Sequence, residues 1–147
     1  MRPDILVLDS EGRAVLIAEV KGKAGGSPQW AAEFRRNLLE GYRGSSPPFF
    51  LLATPDRFDF WRRASKSDLV PPDFSLNPVK LLKSYDSKES EAVARSLSGF
   101  ALELIVADWL RALTHTDGNE NGSSRWLSTS GLLKAIRGGQ VVLEQEV

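Results

Sequence analysis

The stretch that decides the fold is residues 3–21, which read PDILVLDSEGRAVLIAEVK. Two short runs rich in Val, Ile and Leu, residues 4–9 and 14–21, flank a polar segment with Gly12 at its centre. Runs of this kind, separated by a glycine-containing turn, predict a β-hairpin. We therefore expect two antiparallel strands over these residues.

The hairpin also predicts which side chains meet. If Glu11 and Gly12 are the two turn residues, the register places Asp4 directly opposite Glu19. Side chains on a strand alternate between its faces, so one face is predicted to carry Asp4, Leu6, Leu8, Val15, Ile17, Glu19 and Lys21. Two carboxylates and one ammonium group then cluster at the end of an otherwise apolar face.

This cluster has a chemical interpretation. Like charges directly opposite each other in a hairpin destabilise it by a few tenths to about 1 kcal/mol, and a divalent cation between them would compensate. Mg²⁺ prefers carboxylates, water and phosphate oxygens, and such a site can support phosphodiester hydrolysis. Lys21, beside the carboxylates, keeps its charge and suits the stabilisation of negative charge better than the role of a base. The alternative is an ion cluster at a solvated hairpin end, without a metal.

Beyond the hairpin, the pattern predicts a helix and two further strands. Ser27 is a helix cap followed by a proline at the first helical position, and apolar residues recur every four positions to Tyr42. Residues 49–54 (FFLLAT) predict a buried strand, and residues 57–63 predict another. The strand, helix and returning strand predict a parallel crossover connection.

The second half of the chain is predicted to be mainly helical. Its predicted elements are loop over 64–85 with a short helix at 78–84, a long helix over 87–114, a short helix over 130–136 and a strand-like run over 140–147. The apolar arc of the long helix is broad, which favours packing against a second copy of the chain. The mixed order of strands and helices predicts an α/β or α+β fold.

Composition excludes several classes of function. The 147 residues contain no cysteine and one histidine, which excludes disulfides, thiolate metal sites and multi-histidine metal sites. Lys and Arg total 19, as do Asp and Glu, which argues against a strongly basic coat for nucleic acid. With no signal peptide and no apolar run near the ~20 residues needed to span a bilayer, we expect a cytoplasmic protein without a membrane partner. The glycine-rich residues 22–26 lack the spacing of a phosphate-binding loop, so no nucleotide cofactor is expected.

The spacing of the charged residues also resembles a known family. Pro3-Asp4, fourteen residues, then Glu19-Val20-Lys21 resembles the motif of the PD-(D/E)XK nuclease superfamily. The resemblance implies a restriction-endonuclease-like core, with a mixed β-sheet flanked by helices, and a DNA endonuclease activity. It also implies Mg²⁺ or Mn²⁺ bound by Asp4, Glu19 and the carbonyl of Val20, with Asp4, Glu19 and Lys21 as the catalytic residues.

The likeness extends over most of the chain. The segments RPDILVLD and AEVKGK, with the later segments ADWL and GLL, are similar to short proteins of the type I restriction subunit-like kind. We therefore interpret residues 1–147 as one domain, with the motif in a core over 1–63 and a helical C-terminal extension over 64–147. Members of the superfamily carry a helix and a strand before the aspartate, and here both are expected to be missing. The alternative function is an inactive nuclease-fold remnant that binds DNA or protein.

Basic residues near the motif suggest a DNA contact. Lys23, Arg35 and Arg36 could line a groove for a phosphate backbone beside the carboxylates. The alternative, which the sequence favours, is a solvated helix face.

Overall fold

The structure, a computed structural model, describes residues 3–42, 44, 46–63, 65–78, 99–115 and 125–143. Within those ranges the chain forms a mixed α+β fold of six strands and four helices. The strands are β1 (Ile5–Leu8), β2 (Ala14–Val20), β3 (Phe49–Ala53), β4 (Phe58–Arg62), β5 (Phe74–Leu76) and β6 (Gln140–Leu143). The helices are α1 (Pro28–Glu40), α2 (Gly99–Thr114), α3 (Arg125–Thr129) and α4 (Leu132–Ile136).

The six strands form one sheet in the order β5-β4-β3-β2-β1-β6. Strands β2 and β3 pair in parallel, and every other pair in the sheet is antiparallel. Helix α1 connects the two parallel strands, which confirms the predicted crossover unit. The strands at the centre are apolar because helices cover the sheet on both faces.

The two faces of the sheet carry separate apolar clusters. Helix α1 covers the first face, where the cluster contains Ile17, Ala31, Leu39, Phe50, Leu52 and Trp61. Helices α2, α3 and α4 cover the second face, where the larger cluster includes Val7, Leu51, Phe60, Leu110 and Trp126. Side chains alternate along β2, so Glu19 shares the α1 face with Ile17.

The hairpin turn differs from the predicted one. The Asp9 N–H donates to the Arg13 carbonyl, so the loop has three residues rather than two, and it ends on Gly12 at φ 84°. A shift in pairing between Val7 and Leu8 then adds one residue to β2, which turns Val15 towards the α2 face. The predicted placement of Val15 on the Asp4 face is therefore wrong. The two shifts cancel, so the pairs Leu6–Ile17 and Ile5–Ala18 have the predicted register.

Helix α1 forms as predicted, but the residues at the centre of its buried face differ from the predicted ones. The Ser27 hydroxyl accepts from the Trp30 N–H at 3.0 Å, which confirms the cap. The buried positions are Ala31, Ala32, Arg35 and Leu39. The apolar residues that recur every four positions flank them and are partly buried: Trp30, Phe34, Leu38 and Tyr42. A charged side chain therefore sits in the middle of the buried face.

The second half of the chain contributes more strand than predicted. Strand β5 lies at one edge of the sheet, within residues predicted to be loop, and β6 lies at the other edge against β1. In the part of 64–147 that the structure describes, the chain therefore contributes two strands to the sheet as well as helices. The predicted helix over 87–114 is present from Gly99 onwards. Residues 79–98 and 144–147, which carry parts of three predicted elements, lie outside the described residues.

The broad apolar arc of α2 packs mostly within the chain. Its residues Leu102, Val106 and Leu110 are buried against the sheet, and Trp109 and Trp126 pack beside them with their rings tilted by 37° and the ring centroids 6.4 Å apart. The second copy of the chain, predicted from this arc, stays a prediction. Among the described residues no helix is long and apolar enough to cross a bilayer.

Gly139, between α4 and β6, is predicted to be intolerant of any side chain. A Cβ atom added there would lie 1.9 Å from the Leu8 carbonyl oxygen, which belongs to the backbone of β1 and cannot swing aside. We expect Gly139→Ala to lower the free energy of unfolding by about 2 kcal/mol, as measured by urea denaturation. Gly12→Ala, where a Cβ meets nothing within 4 Å but φ is positive, separates this clash from backbone strain. A cost at position 139 no larger than at position 12 would contradict the clash.

Candidate metal and nucleic-acid site

Asp4 and Glu19 meet at one end of the sheet through two reciprocal hydrogen bonds. The Asp4 N–H donates to Glu19 Oε2 at 2.5 Å. In return, the Val20 N–H donates to Asp4 Oδ2 at 2.9 Å. These bonds extend the β1–β2 ladder by one step, with side-chain oxygens in place of backbone carbonyls. The predicted juxtaposition of the two carboxyl groups is therefore present, and the backbone fixes one oxygen of each.

Glu19 is the buried member of the pair. Glu19 is only 6% exposed, and it lies beside the apolar residues Ile17 and Leu52 on the same face of the sheet. Burial, together with the charge of Asp4 and a side-chain hydrogen bond with it, raises the pKa of Glu19 from 4.5 to about 8, against the opposing effects of the Asp4 N–H and the Lys21 ammonium. At neutral pH, without a cation, this site therefore holds a proton.

Lys21 follows the pair on the same face and points outwards. Its N–H continues the parallel ladder by donating to the Ala53 carbonyl at 2.9 Å, and its side chain is exposed. The ammonium lies 5.1 Å from the ring centroid of Phe34, which comes from α1. A cation over an aromatic face is stabilised by the ring quadrupole. The exposed charge is therefore positioned beside the carboxylates by helix packing.

The loop after Lys21 is anchored to the turn between β3 and β4. The Gly25 N–H donates to Asp56 Oδ2 at 3.1 Å, and Thr54 Oγ1 donates to Asp56 Oδ1 at 3.0 Å. Burial acts to raise the pKa of Asp56, but these hydrogen bonds outweigh it, and the pKa is lowered. A cavity of about 270 Å³ lies along this loop, lined by Lys23, Gly25, Gly26, Ser27 and Trp30. Lys23 is exposed there, at the end of the sheet that carries the carboxylates.

Asp59 is a buried carboxylate that the sequence analysis missed. By strand pairing it lies across Leu52 from Glu19, on the α1 face, and its residue is 1% exposed. Arg57 Nε lies 2.9 Å from both of its oxygens, and Ser75 Oγ donates to it at 2.7 Å. Both oxygens are engaged, so Asp59 stabilises the sheet and is not a free ligand. The sequence does indicate this burial: side chains alternate along residues 58–61, so Asp59 lies on the same face of the strand as the apolar Trp61.

Arg35 is not available to a phosphate backbone. Its residue is 2% exposed, and its guanidinium donates to the carbonyls of Ser65 and Asp68 at 2.9 and 3.2 Å. It also lies about 6 Å from the rings of Phe50 and Trp61. The suggested DNA contact at Arg35 is therefore wrong, because the helix turns this residue into the protein. Arg36 is half-buried, and Lys23 is the exposed basic residue of the three.

The donor set at the end of β2 fits a hard divalent cation. Mg²⁺ in proteins usually takes one or two carboxylates and completes its shell with water and substrate oxygens. The Asp4–Glu19 pair supplies two carboxyl groups, and a cation bound there would replace the proton that burial favours on Glu19. In the part of the chain that the structure describes, no three or more His, Cys, Asp or Glu side chains are grouped so that they could hold one metal ion.

Comparison with sequence models of protein families, with curated proteins and with solved structures finds no match.

Proposed function

We propose that this protein is a metal-dependent nuclease that hydrolyses phosphodiester bonds in DNA. The observation that carries the proposal is the reciprocal bonding of Asp4 and Glu19, with Lys21 next along the same face. A parallel strand pair crossed by α1 and flanked by antiparallel strands further supports a restriction-endonuclease-like core.

In this proposal Asp4, Glu19 and the Val20 carbonyl hold Mg²⁺ or Mn²⁺. When bound, the cation neutralises charge on the scissile phosphate and favours ionisation of a water molecule. The two carboxylates need no reorientation, because the Asp4 and Val20 N–H groups already fix one oxygen of each. The Lys21 ammonium, held over Phe34, stabilises the negative charge that develops on the phosphoryl oxygens. Lys23 contacts the neighbouring backbone phosphate.

The proposal is tested by cleavage of plasmid and single-stranded DNA in Mg²⁺ or Mn²⁺. We expect Lys21→Ala to reduce the cleavage rate by about 100-fold or more, because it removes the charge beside the reacting phosphate. Arg125→Ala, which removes an exposed positive charge at the start of α3, is the matched control and keeps full activity. Cleavage that survives Lys21→Ala unchanged would refute the assignment, since a contaminating nuclease would then be the source.

The second candidate function is an inactive nuclease-fold remnant that binds DNA or protein. The observation that favours it is the small donor set, which among the described residues comprises two carboxyl groups rather than three or more. Calorimetric titration with Mn²⁺ separates the candidates. Metal binding that Asp4→Ala abolishes, in a protein that does not cleave DNA, would identify the remnant.

A further inference from the structure

A basic groove lies at the end of the sheet opposite to Asp4 and Glu19. It has a volume of about 590 Å³, and four cationic side chains line it: Arg13, Arg63, Lys134 and Arg137. They come from the residue before β2, the residue after β4, helix α4 and the residue that follows that helix. The seven residues of β2 span roughly 20 Å, so this groove is separate from the candidate nuclease site.

Three of the four charges have no counter-charge in the part of the chain that the structure describes. Arg13 is held by the two carboxylates of the groove, with Asp9 at 3.1 Å and Glu11 at 2.5 Å. Arg63, Lys134 and Arg137 are exposed, and their side chains make no ion pair or hydrogen bond with any described residue. Asp9 and Glu11 also line the groove, so its four cationic and two acidic side chains leave a net charge of +2, with three of the cations unpaired among the described residues.

The backbone at Arg63 gives a second, independent indication. Its φ is 59°, which makes it the one non-glycine residue with positive φ in the described ranges. Its N–H donates to the Pro48 carbonyl at 2.6 Å, which holds the side chain at the mouth of the groove. A long side chain is uncommon at positive φ, where glycine is the usual residue. The Arg63 side chain makes no hydrogen bond or ion pair with a described residue that would account for an arginine here.

We propose that this groove binds a phosphorylated small molecule that carries a diphosphate group. Arginine guanidinium groups match phosphate oxygens with paired donors, and three converging charges suit a multiply charged anion better than a single carboxylate. Pro48, Phe49 and Ala135 also line the groove and offer an apolar contact to the rest of the ligand. The volume lies within the range of small-molecule sites.

The test is calorimetric titration of the full chain with pyrophosphate, in EDTA so that no metal bridges the anion to Asp4 and Glu19. We expect saturable binding that Arg63→Gly weakens at least fivefold. Glycine tolerates positive φ, so this variant keeps the melting temperature of the wild type and separates binding from folding. Arg137→Gln weakens binding similarly, and Arg125→Gln, outside the groove, leaves it unchanged.

Competition identifies the source of the phosphates. A short DNA duplex that fails to displace pyrophosphate supports a free phosphorylated ligand, whereas displacement assigns the same phosphate contacts to a nucleic-acid backbone. No saturable binding, or binding that Arg63→Gly and Arg125→Gln affect equally, would overturn the proposed site.

Discussion

Glu19→Gln is expected to abolish DNA cleavage and at the same time to stabilise the fold at alkaline pH. The amide keeps the shape of the side chain and can still accept from the Asp4 N–H, but it supplies no negative charge to a cation. We expect the cleavage rate in Mg²⁺ to fall by about 100-fold or more. Glu40→Gln, at an exposed glutamate on α1, is the matched control and leaves the rate unchanged.

The effect on stability follows from the proton that Glu19 holds. Burial raises its pKa from 4.5 to about 8, so between these pH values the folded chain binds a proton that the unfolded chain has lost. The free energy of unfolding therefore falls as pH rises through this window, by on the order of a few kcal/mol in total. The contribution is fully present below pH 4.5 and is lost above about pH 8.

Urea unfolding in EDTA at pH 5 and pH 8.5 measures this dependence. The wild type is expected to lose stability between the two pH values, whereas Glu19→Gln loses much less, because its side chain does not ionise. Mg²⁺ at pH 8.5 should restore the free energy of unfolding of the wild type, since the cation takes the place of the proton. It should leave the free energy of unfolding of Glu19→Gln unchanged. Equal pH dependence in both proteins would show that Glu19 is already ionised in the metal-free fold.

Asp59→Ala is expected to lower the free energy of unfolding by about 3 kcal/mol. It removes a buried carboxylate and leaves the Arg57 guanidinium, whose side chain is 22% exposed, without its partner at 2.9 Å. The Ser75 hydroxyl loses its acceptor as well. Strand β5 pairs with only three residues of β4, so we expect removal of the Asp59 carboxylate to destabilise this edge of the sheet first.

An exposed ion pair provides the matched control for Asp59. Asp108 and Arg111 on α2 lie 3.1 Å apart with side chains 59% and 41% exposed, and Asp108→Ala should cost less than about 0.5 kcal/mol. The double variant Arg57→Met with Asp59→Ala should recover part of the loss, because it leaves no unpaired charge. Urea denaturation measures all three variants. Equal losses for Asp59→Ala and Asp108→Ala would contradict a structural role for the buried pair.

The sequence predicted the elements whose patterns are local. The hairpin, the helix capped at Ser27 and the strand over 49–53 rest on turn chemistry and periodicity, and all three are present. The register that brings Asp4 opposite Glu19 was predicted correctly, but the turn from which it was predicted was wrong. A longer loop and a bulge at Val15 shift the pairing in opposite directions, and alternation alone reveals neither of them.

The elements that the sequence did not predict depend on long-range pairing. Strand β5 has three residues and exists because β4 offers an open edge, so no local pattern indicates it. Arg35 occupies the position between Ala31 and Leu39 on the buried line of α1, where charge alone suggested solvent. Its burial depends on carbonyls of Ser65 and Asp68, about thirty residues away. The groove at Arg63 likewise assembles from four segments that no single stretch brings together.

The pairing of β1 with β6 has a practical consequence for every experiment above. Ile5 pairs with Leu143, so the first and last described strands meet at the end of the sheet where Asp4 lies. A polyhistidine tag joined to either terminus is attached no more than four residues along the chain from Asp4 or Leu143, so its imidazole ligands can compete for a cation near the carboxylate pair. Metal titrations therefore require tag-free protein.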